Sequence, residues 1–239
     1  MKKISAVILA ISFLFMAGEC SARTTTVIEE RNGLVYVPNE ATPFTGTAEN
    51  KFPNGQKKQE GNFKDGKLDG LRIEWFENGQ KQAEINHKDG KQNGLATFWF
   101  ENGQQKEKSN YKDGKINGLA TFWFDNGQKE SEGNFKDGKQ NGFLTRWFKN
   151  GYKEAEGNYK DGKQDGLTKM WFENGQKKGE VNFKDGKQNG LTTGWFENGL
   201  QKKLEINYID GKLNGLATEW FENGQVKRKS VFKDGQPVN

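Results

Sequence analysis

Two turn phrases alternate along the chain at a fixed interval, and they constrain the fold more than any other feature. The first runs Trp99-Phe100-Glu101-Asn102-Gly103-Gln104. It opens again at Trp75, Trp171 and Trp220, and with small changes at Trp123, Trp147 and Trp195, so every tryptophan belongs to a copy. The second runs Asn62-Phe63-Lys64-Asp65-Gly66-Lys67, followed by Asp69-Gly70-Leu71. The glycines Gly46, Gly70, Gly94, Gly118, Gly142, Gly166, Gly190 and Gly215 mark the repeats, with a spacing of 24 residues that becomes 25 only at the last step. Leu200 is the inserted residue.

Asn-Gly and Asp-Gly are strong hairpin signals, since both residues of a tight two-residue turn take positive φ. Each unit therefore reads as two strands, for example 67–77 and 80–88, with turns at Asn78-Gly79 and Asp89-Gly90. A turn pair about every ten residues disfavours helix. The alternation predicts that Leu71, Ile73 and Trp75 share one face, with Gly70, Arg72, Glu74 and Phe76 on the other. Two-residue turns at both ends would pair Gly70 with His87 on one side and with Gly61 on the other. An aromatic ring at the His87 position, usually Phe or Tyr, is then expected to lie over the strand glycine. The phenylalanines Phe76, Phe100, Phe124, Phe148, Phe172, Phe196 and Phe221 form a ladder opposite the Trp and Leu rows.

Composition supports an array rather than a globule. Only 32% of residues are hydrophobic and 29% are charged, too few apolar groups for a deep core, while the 13% aromatics recur at fixed positions. The predicted fold class is all-β, an elongated repeat array of antiparallel β-hairpins with about eight 24-residue units, curled or solenoid-like at this strand number. The repeats occupy residues 44–235, preceded by a cap at 23–43 and followed by a tail at 236–239.

Residues 1–22 read as a signal peptide. Lys2 and Lys3 precede an apolar run of about 14 residues, short for a membrane span. Small residues at Cys20 and Ala22 favour cleavage after Ala22; lipidation at Cys20 is the alternative, with Glu19 a poor fit before it. The expected location is exported: periplasmic, cell-surface or extracellular. Cleavage removes the only cysteine, leaving no disulfide or thiol chemistry. The net charge is +5 with Lys and Glu interleaved, which fits a solvated surface and excludes a nucleic-acid groove.

The pattern from Tyr111 through Asp113-Gly114-Lys115-Ile116-Asn117-Gly118 to Trp123 resembles the MORN repeat. The Trp-Phe-Glu-Asn-Gly-Gln-Lys and Asn-Phe-Lys-Asp-Gly-Lys phrases, with the lead-in Pro43-Phe44-Thr45-Gly46, resemble the bacterial MORN-variant repeats of the YwqK antitoxin family. The resemblance spans about residues 32–235. It implies elongated hairpin arrays that bind proteins or membranes, and a toxin as one class of partner. A secretion signal departs from a cytosolic antitoxin.

Catalytic motifs do not survive inspection. Residues 61–67 have the G-x-x-x-x-G-K spacing of a phosphate loop, yet Leu68 follows and the segment is a hairpin, not a helix N-terminus. Residues 89–94 resemble the start of a calcium loop, but Lys91 stands at a ligand position and Phe100 where a bidentate Glu is needed. One His and one Cys cannot build a nucleophilic triad or a metal site. The repeated turn carboxylates Glu77, Glu101 and Glu173 are solvated copies, unlike a tuned acid–base pair. The chain is therefore expected to be non-enzymatic and to use no cofactor. The candidate binding surface is the tryptophan row: Trp75, Trp99, Trp123, Trp147, Trp171, Trp195 and Trp220. The expected partner is a protein, a surface protein or a toxin; glycan and membrane surfaces are alternatives.

Overall fold

The computed structural model describes residues 23–238. The signal-type segment, with Cys20, lies outside the described residues. Within them the chain is all-β: strands Lys67–Trp75, Lys81–Lys88, Lys91–Trp99 and their equivalents pair antiparallel with their sequence neighbours, so the sheet is a long meander. Nineteen strands belong to this sheet and a separate two-stranded hairpin precedes it.

The two turns of each repeat differ. Asp-Gly makes the tight two-residue turn read from the sequence: Asp65 has φ 50° and Gly66 φ 78°, and Lys64 pairs with Lys67 across them. Asn-Gly does not. In the 76–80 segment the Phe76 N–H donates to the Gln80 carbonyl at 2.8 Å, and the Gly79 N–H donates to the Phe76 carbonyl at 3.0 Å. The loop therefore holds three residues, Glu77-Asn78-Gly79, and of the Asn-Gly pair only Gly79, at φ 83°, is left-handed. The physical reason is the asparagine side chain. Its Oδ1 accepts from the Gln80 N–H at 2.9 Å, closing an Asx turn that a left-handed Asn78 is not needed to complete.

Pairing on the other side of each strand also departs from expectation. Gly70 does pair with His87, but Gly61 lies opposite Arg72, not Gly70, and the register shifts by two between Gly61 and Phe63. Asp69, Gly70 and Leu71 span the single residue Asn62. Gly70 turns the strand with φ 110°, and the space that a side chain there would fill is taken by Asn62, whose Cβ is 3.3 Å from an ideal Cβ on Gly70. The Asn62 amide then donates to the Leu71 carbonyl at 3.3 Å, as Asn86 does to Leu95 at 2.8 Å and Asn182 to Leu191 at 2.8 Å. The strand glycine thus exists for this bulge and its asparagine partner, and not for a covering ring. Because the shift is by two, side chains keep their faces.

A second, one-residue bulge sits at each tryptophan, between Glu74 and Trp75 in the first Trp-bearing strand. Successive repeats are stitched at both ends. On the Asp-Gly side, the Gly90 N–H donates to the Leu68 carbonyl and the Gly114 N–H to the Gln92 carbonyl, both at 2.8 Å. On the Asn-Gly side, the Asn78 amide reaches the Glu101 carbonyl at 3.0 Å and Asn102 the Asp125 carbonyl at 2.8 Å. The buried apolar side chains form a thin seam along one face, Ala83, Ile85, Ala96, Ala120, Leu144 and Val181, while on the tryptophan face the threonines Thr97, Thr121, Thr145, Thr193 and Thr218 are buried.

The first repeat is closed by the segment before it. Thr24–Thr25 adds in parallel to Gly46–Lys51. The hairpin Glu29–Arg31/Leu34–Tyr36 covers the first Asp-Gly turn, with the Val35 N–H on the Gly66 carbonyl and the Gly66 N–H on the Phe44 carbonyl, each at 2.8 Å. Phe44 is fully buried there, its ring 6.0 Å from that of Phe63. At the other end Gln236–Val238 pairs with Val226–Lys233.

Replacing a strand glycine forces a left-handed L-residue and a clash with asparagine. Gly142→Ala (φ 120°, 3.3 Å from Asn134 Cβ) is expected to lower unfolding stability by about 1–2 kcal/mol. Denaturant unfolding followed by far-UV circular dichroism checks it; an unchanged midpoint would contradict the bulge assignment.

Candidate functional site

The tryptophan face carries three rows, set by register: the tryptophans, the residues that follow the strand glycines, and between them a mostly buried threonine row, Thr97, Thr121, Thr145, Thr193 and Thr218. Trp75 and its six equivalents are all half-buried. Four of them lie under a lysine of the preceding repeat: Lys57 over Trp75 at 5.8 Å, Lys129 over Trp147 at 5.6 Å, Lys153 over Trp171 at 5.7 Å, and Lys177 over Trp195 at 4.3 Å from the ring centroid. The same ammonium groups reach a glutamate three residues on: Lys57 to Glu60, Lys129 to Glu132 at 2.7 Å, Lys153 to Glu156 at 2.7 Å, and Lys177 to Glu180 at 2.5 Å. The Lys129 ammonium, helped by the Thr121 hydroxyl, holds the Glu132 carboxyl below its ordinary value. Stacking over an exposed ring contributes about 0.5–1 kcal/mol. Each of these tryptophans thus has one neighbour already placed on its ring, from the adjoining repeat. Phe100, Phe172 and Phe196, on the face opposite these tryptophans, are likewise half-buried, with Lys106, Lys178 and Lys203 near their rings.

The more open row on this face is the residue after each strand glycine. Leu95 is 39% exposed, Leu119 48%, Phe143 46%, Leu167 39%, Leu191 40% and Leu216 49%. Each stands opposite an asparagine or, at the end, Val231: Leu95 on Asn110, Leu119 on Asn134, Phe143 on Asn158. With strands about 4.8 Å apart, one apolar group recurs every ~10 Å along the sheet. The period was visible as Gly-Leu in the sequence. Its exposure was not, because that depends on which row neighbouring side chains cover.

The opposite face carries the buried seam, edged by the aromatic residues that pair with the strand glycines. In its middle, glycines replace larger seam residues at Gly133 and Gly157. Two adjoining depressions of about 280 Å³ and 340 Å³ lie beside them, both lined by Leu144, Arg146 and Tyr159. Gln164 and Phe148 edge the first, Gln140 and Phe135 the second. Arg146 is paired with Glu154 at 3.1 Å.

His87 is only 8% exposed on this face and its Nδ1 is 3.2 Å from the Ile85 carbonyl. Burial pushes its imidazole below the ordinary value. Tyr111 donates to Glu107 at 3.1 Å, as does the buried Ser109 at 2.8 Å. Burial, with the charge of Glu107, pushes the Tyr111 phenol up to about 12. A phenol held neutral and donating is a structural anchor; it is no base at physiological pH. Among the described residues no group of three or more His, Cys, Asp or Glu side chains is placed to hold a metal.

These features define an all-β repeat scaffold with extended faces and no concentrated chemical centre among the described residues. The MORN repeat variant model matches residues 44–65, 68–89, 92–113, 116–137, 164–185 and 213–234, and the MORN repeat model matches 132–151. The variant matches alone cover more than half the chain, and the chain belongs to the MORN repeat variant family. No curated protein matches it. Repeats of this family are typically protein- or membrane-binding scaffolds and are generally non-catalytic.

Burial of the His87 imidazole ties stability to pH. Protons bind the unfolded chain more readily than the folded one, so stability is complete above the unfolded value of about 6.5 and is lost as pH falls below it. His87→Phe installs the ring type that most repeats carry. It is expected to remove part of the stability loss between about pH 6.5 and 5, measured as the change in urea midpoint. An identical pH dependence in the variant would contradict a neutral, buried imidazole.

Proposed function

We propose that the protein is an exported, non-enzymatic repeat scaffold that holds a partner protein along the leucine row of its tryptophan face, at the cell surface. The observation that carries this reading is the exposed apolar side chain recurring once per repeat, from Leu95 to Leu216. A row of exposed apolar groups interleaved with polar ones suits a protein interface: apolar contacts supply affinity, and the asparagines and lysines beside them supply orientation. Export rests on the character of residues 1–22. A toxin is one class of protein that such a row could hold.

Binding of this kind is distributed. Each repeat offers one leucine-sized contact, so the loss of one weakens an interface and does not abolish it. A photocrosslinking residue at 119 or 167 is expected to yield the same discrete protein adduct in cells, while one at the loop position 152 yields none. Leu119→Ser with Leu167→Ser should reduce that adduct formed from position 143 by about tenfold or more, with an unchanged β-type spectrum. Adducts of equal yield at row and loop positions would contradict the assignment. So would complete loss of binding on removing one middle repeat while the fold survives.

A second reading, binding of an envelope glycan, is favoured by the paired depressions on the opposite face. Aromatic rings at Tyr159 and Phe135 with Gln140, Gln164 and Arg146 beside them suit sugar faces and hydroxyls. Retention on purified envelope polysaccharide that is lost in Tyr159→Ala supports this reading. No retention of a chain with an intact β-type spectrum removes it.

A further inference from the structure

The Asn-Gly loops that follow the strand-end aromatics, at Asn54, Asn78, Asn102, Asn126, Asn150, Asn174, Asn198 and Asn223, look equivalent in sequence, but the structure divides them. In five of them the asparagine amide is tied to the next repeat: Asn78 to Glu101, Asn102 to Asp125, Asn126 to Lys149, Asn150 to Glu173 and Asn174 to Glu197, at 2.8–3.1 Å to the backbone carbonyl. Three loops lack this tie. Asn54 has no partner for its Nδ2 among the described residues. Asn198 reaches only the Glu222 side chain at 3.5 Å, and Asn223 only Gln225 of its own loop at 3.4 Å. The cause at Asn198 is Leu200, inserted after Gly199 and 82% exposed. It widens the loop, so that the Phe196 N–H is carried to the Gln201 carbonyl. At Asn223 the amide turns back onto its own loop.

We infer that Asn54, Asn198 and Asn223 are sites of spontaneous deamidation, and that the turn ladder shields the other five. The reaction is intramolecular. The deprotonated amide nitrogen of the following glycine attacks the asparagine Cγ, a new C–N bond closes a five-membered succinimide, and the Cγ–Nδ2 bond breaks with release of ammonia. Water then opens the ring at either carbonyl, giving aspartate or its iso-linked isomer. No oxidant or catalyst is required. The following residue is glycine in all eight loops, so the nucleophile's steric freedom is the same in each. Nor do the remaining contacts discriminate. The glycine N–H donates to the Phe carbonyl at 2.9 Å in the 52–55, 196–199 and 221–224 loops, as it does in the tied ones. The asparagine Oδ1 also accepts from its own loop at Asn54, Asn198 and Asn223.

What differs is the freedom of Cγ to turn toward that nitrogen and the release of Nδ2. In a tied loop the amide must first leave a backbone carbonyl; a net hydrogen bond of ordinary strength makes this about three- to tenfold less frequent. The product matters too. At a tied position the resulting carboxylate would face a carbonyl oxygen and lose the hydrogen bond between repeats. At Asn198 the new carboxylate would stand beside Glu222, and like charges there would loosen the last inter-repeat contact on that side.

The test is peptide mapping of the full chain aged in mildly alkaline buffer, quantifying conversion over time at each of these eight loop asparagines. Asn54, Asn198 and Asn223 are expected to convert about three- to tenfold faster than Asn78, Asn102, Asn126, Asn150 and Asn174. In denaturant all eight should converge to one faster rate. Deletion of Leu200 is expected to slow Asn198 into the tied group without changing Asn54. Equal rates at all eight sites in the folded chain would overturn the inference, as would a tied site among the fastest three.

Discussion

The structure depends on how each asparagine side chain substitutes for backbone that the turns leave unpaired. At the strand bulge, Asn62 and its equivalents fill the space beside a left-handed glycine and donate to the carbonyl across it. At the loop, Asn78 and its equivalents accept from their own backbone and donate to the next repeat. Both roles need a short side chain with a donor and an acceptor at once, which among the common side chains asparagine supplies at this reach. Register, spacing and the coupling of neighbours follow from these two contacts.

This explains how so polar a chain folds. Among the described residues no deep core offsets conformational entropy. Each repeat instead orders itself against two neighbours, through strand pairing, turn-to-turn hydrogen bonds and a thin apolar seam. The cap over Gly46–Lys51 and Gly66 protects the first repeat, which otherwise would present an open edge. Stability of this kind is a sum of nearest-neighbour terms. It leaves long faces available for a partner without demanding a single pocket.

Much of this was legible in the sequence. The 24-residue recurrence and the hairpin units follow from turn chemistry and alternation alone; the Gly70–His87 pairing was reached from a two-residue turn and holds because the bulge at Trp75 offsets the three-residue loop. Three points did not. Asn-Gly carries the same letters whether it turns in two residues or three, and only the side-chain hydrogen bond to Gln80 decides which. The two-residue shift at Asn62 preserves the alternation, so no sequence pattern betrays it. Exposure of the leucine row depends on lateral cover: lysines lie across Trp75, Trp147, Trp171 and Trp195, while Leu119 and Leu216 have only short asparagine or valine neighbours. Row membership can be read from one chain; the packing between rows cannot.

The central claim is that hydrogen bonds between successive turns add to strand pairing in holding neighbouring repeats together, where a deep core would do so in a globule. Residue-resolved amide hydrogen exchange tests it most directly. The Asp-Gly turn glycines Gly90, Gly114, Gly138 and Gly162, whose N–H groups donate to the preceding repeat, should exchange as slowly as strand amides. Exchange of these amides at the rate of unstructured turn residues, while the strand amides stay protected, would contradict it.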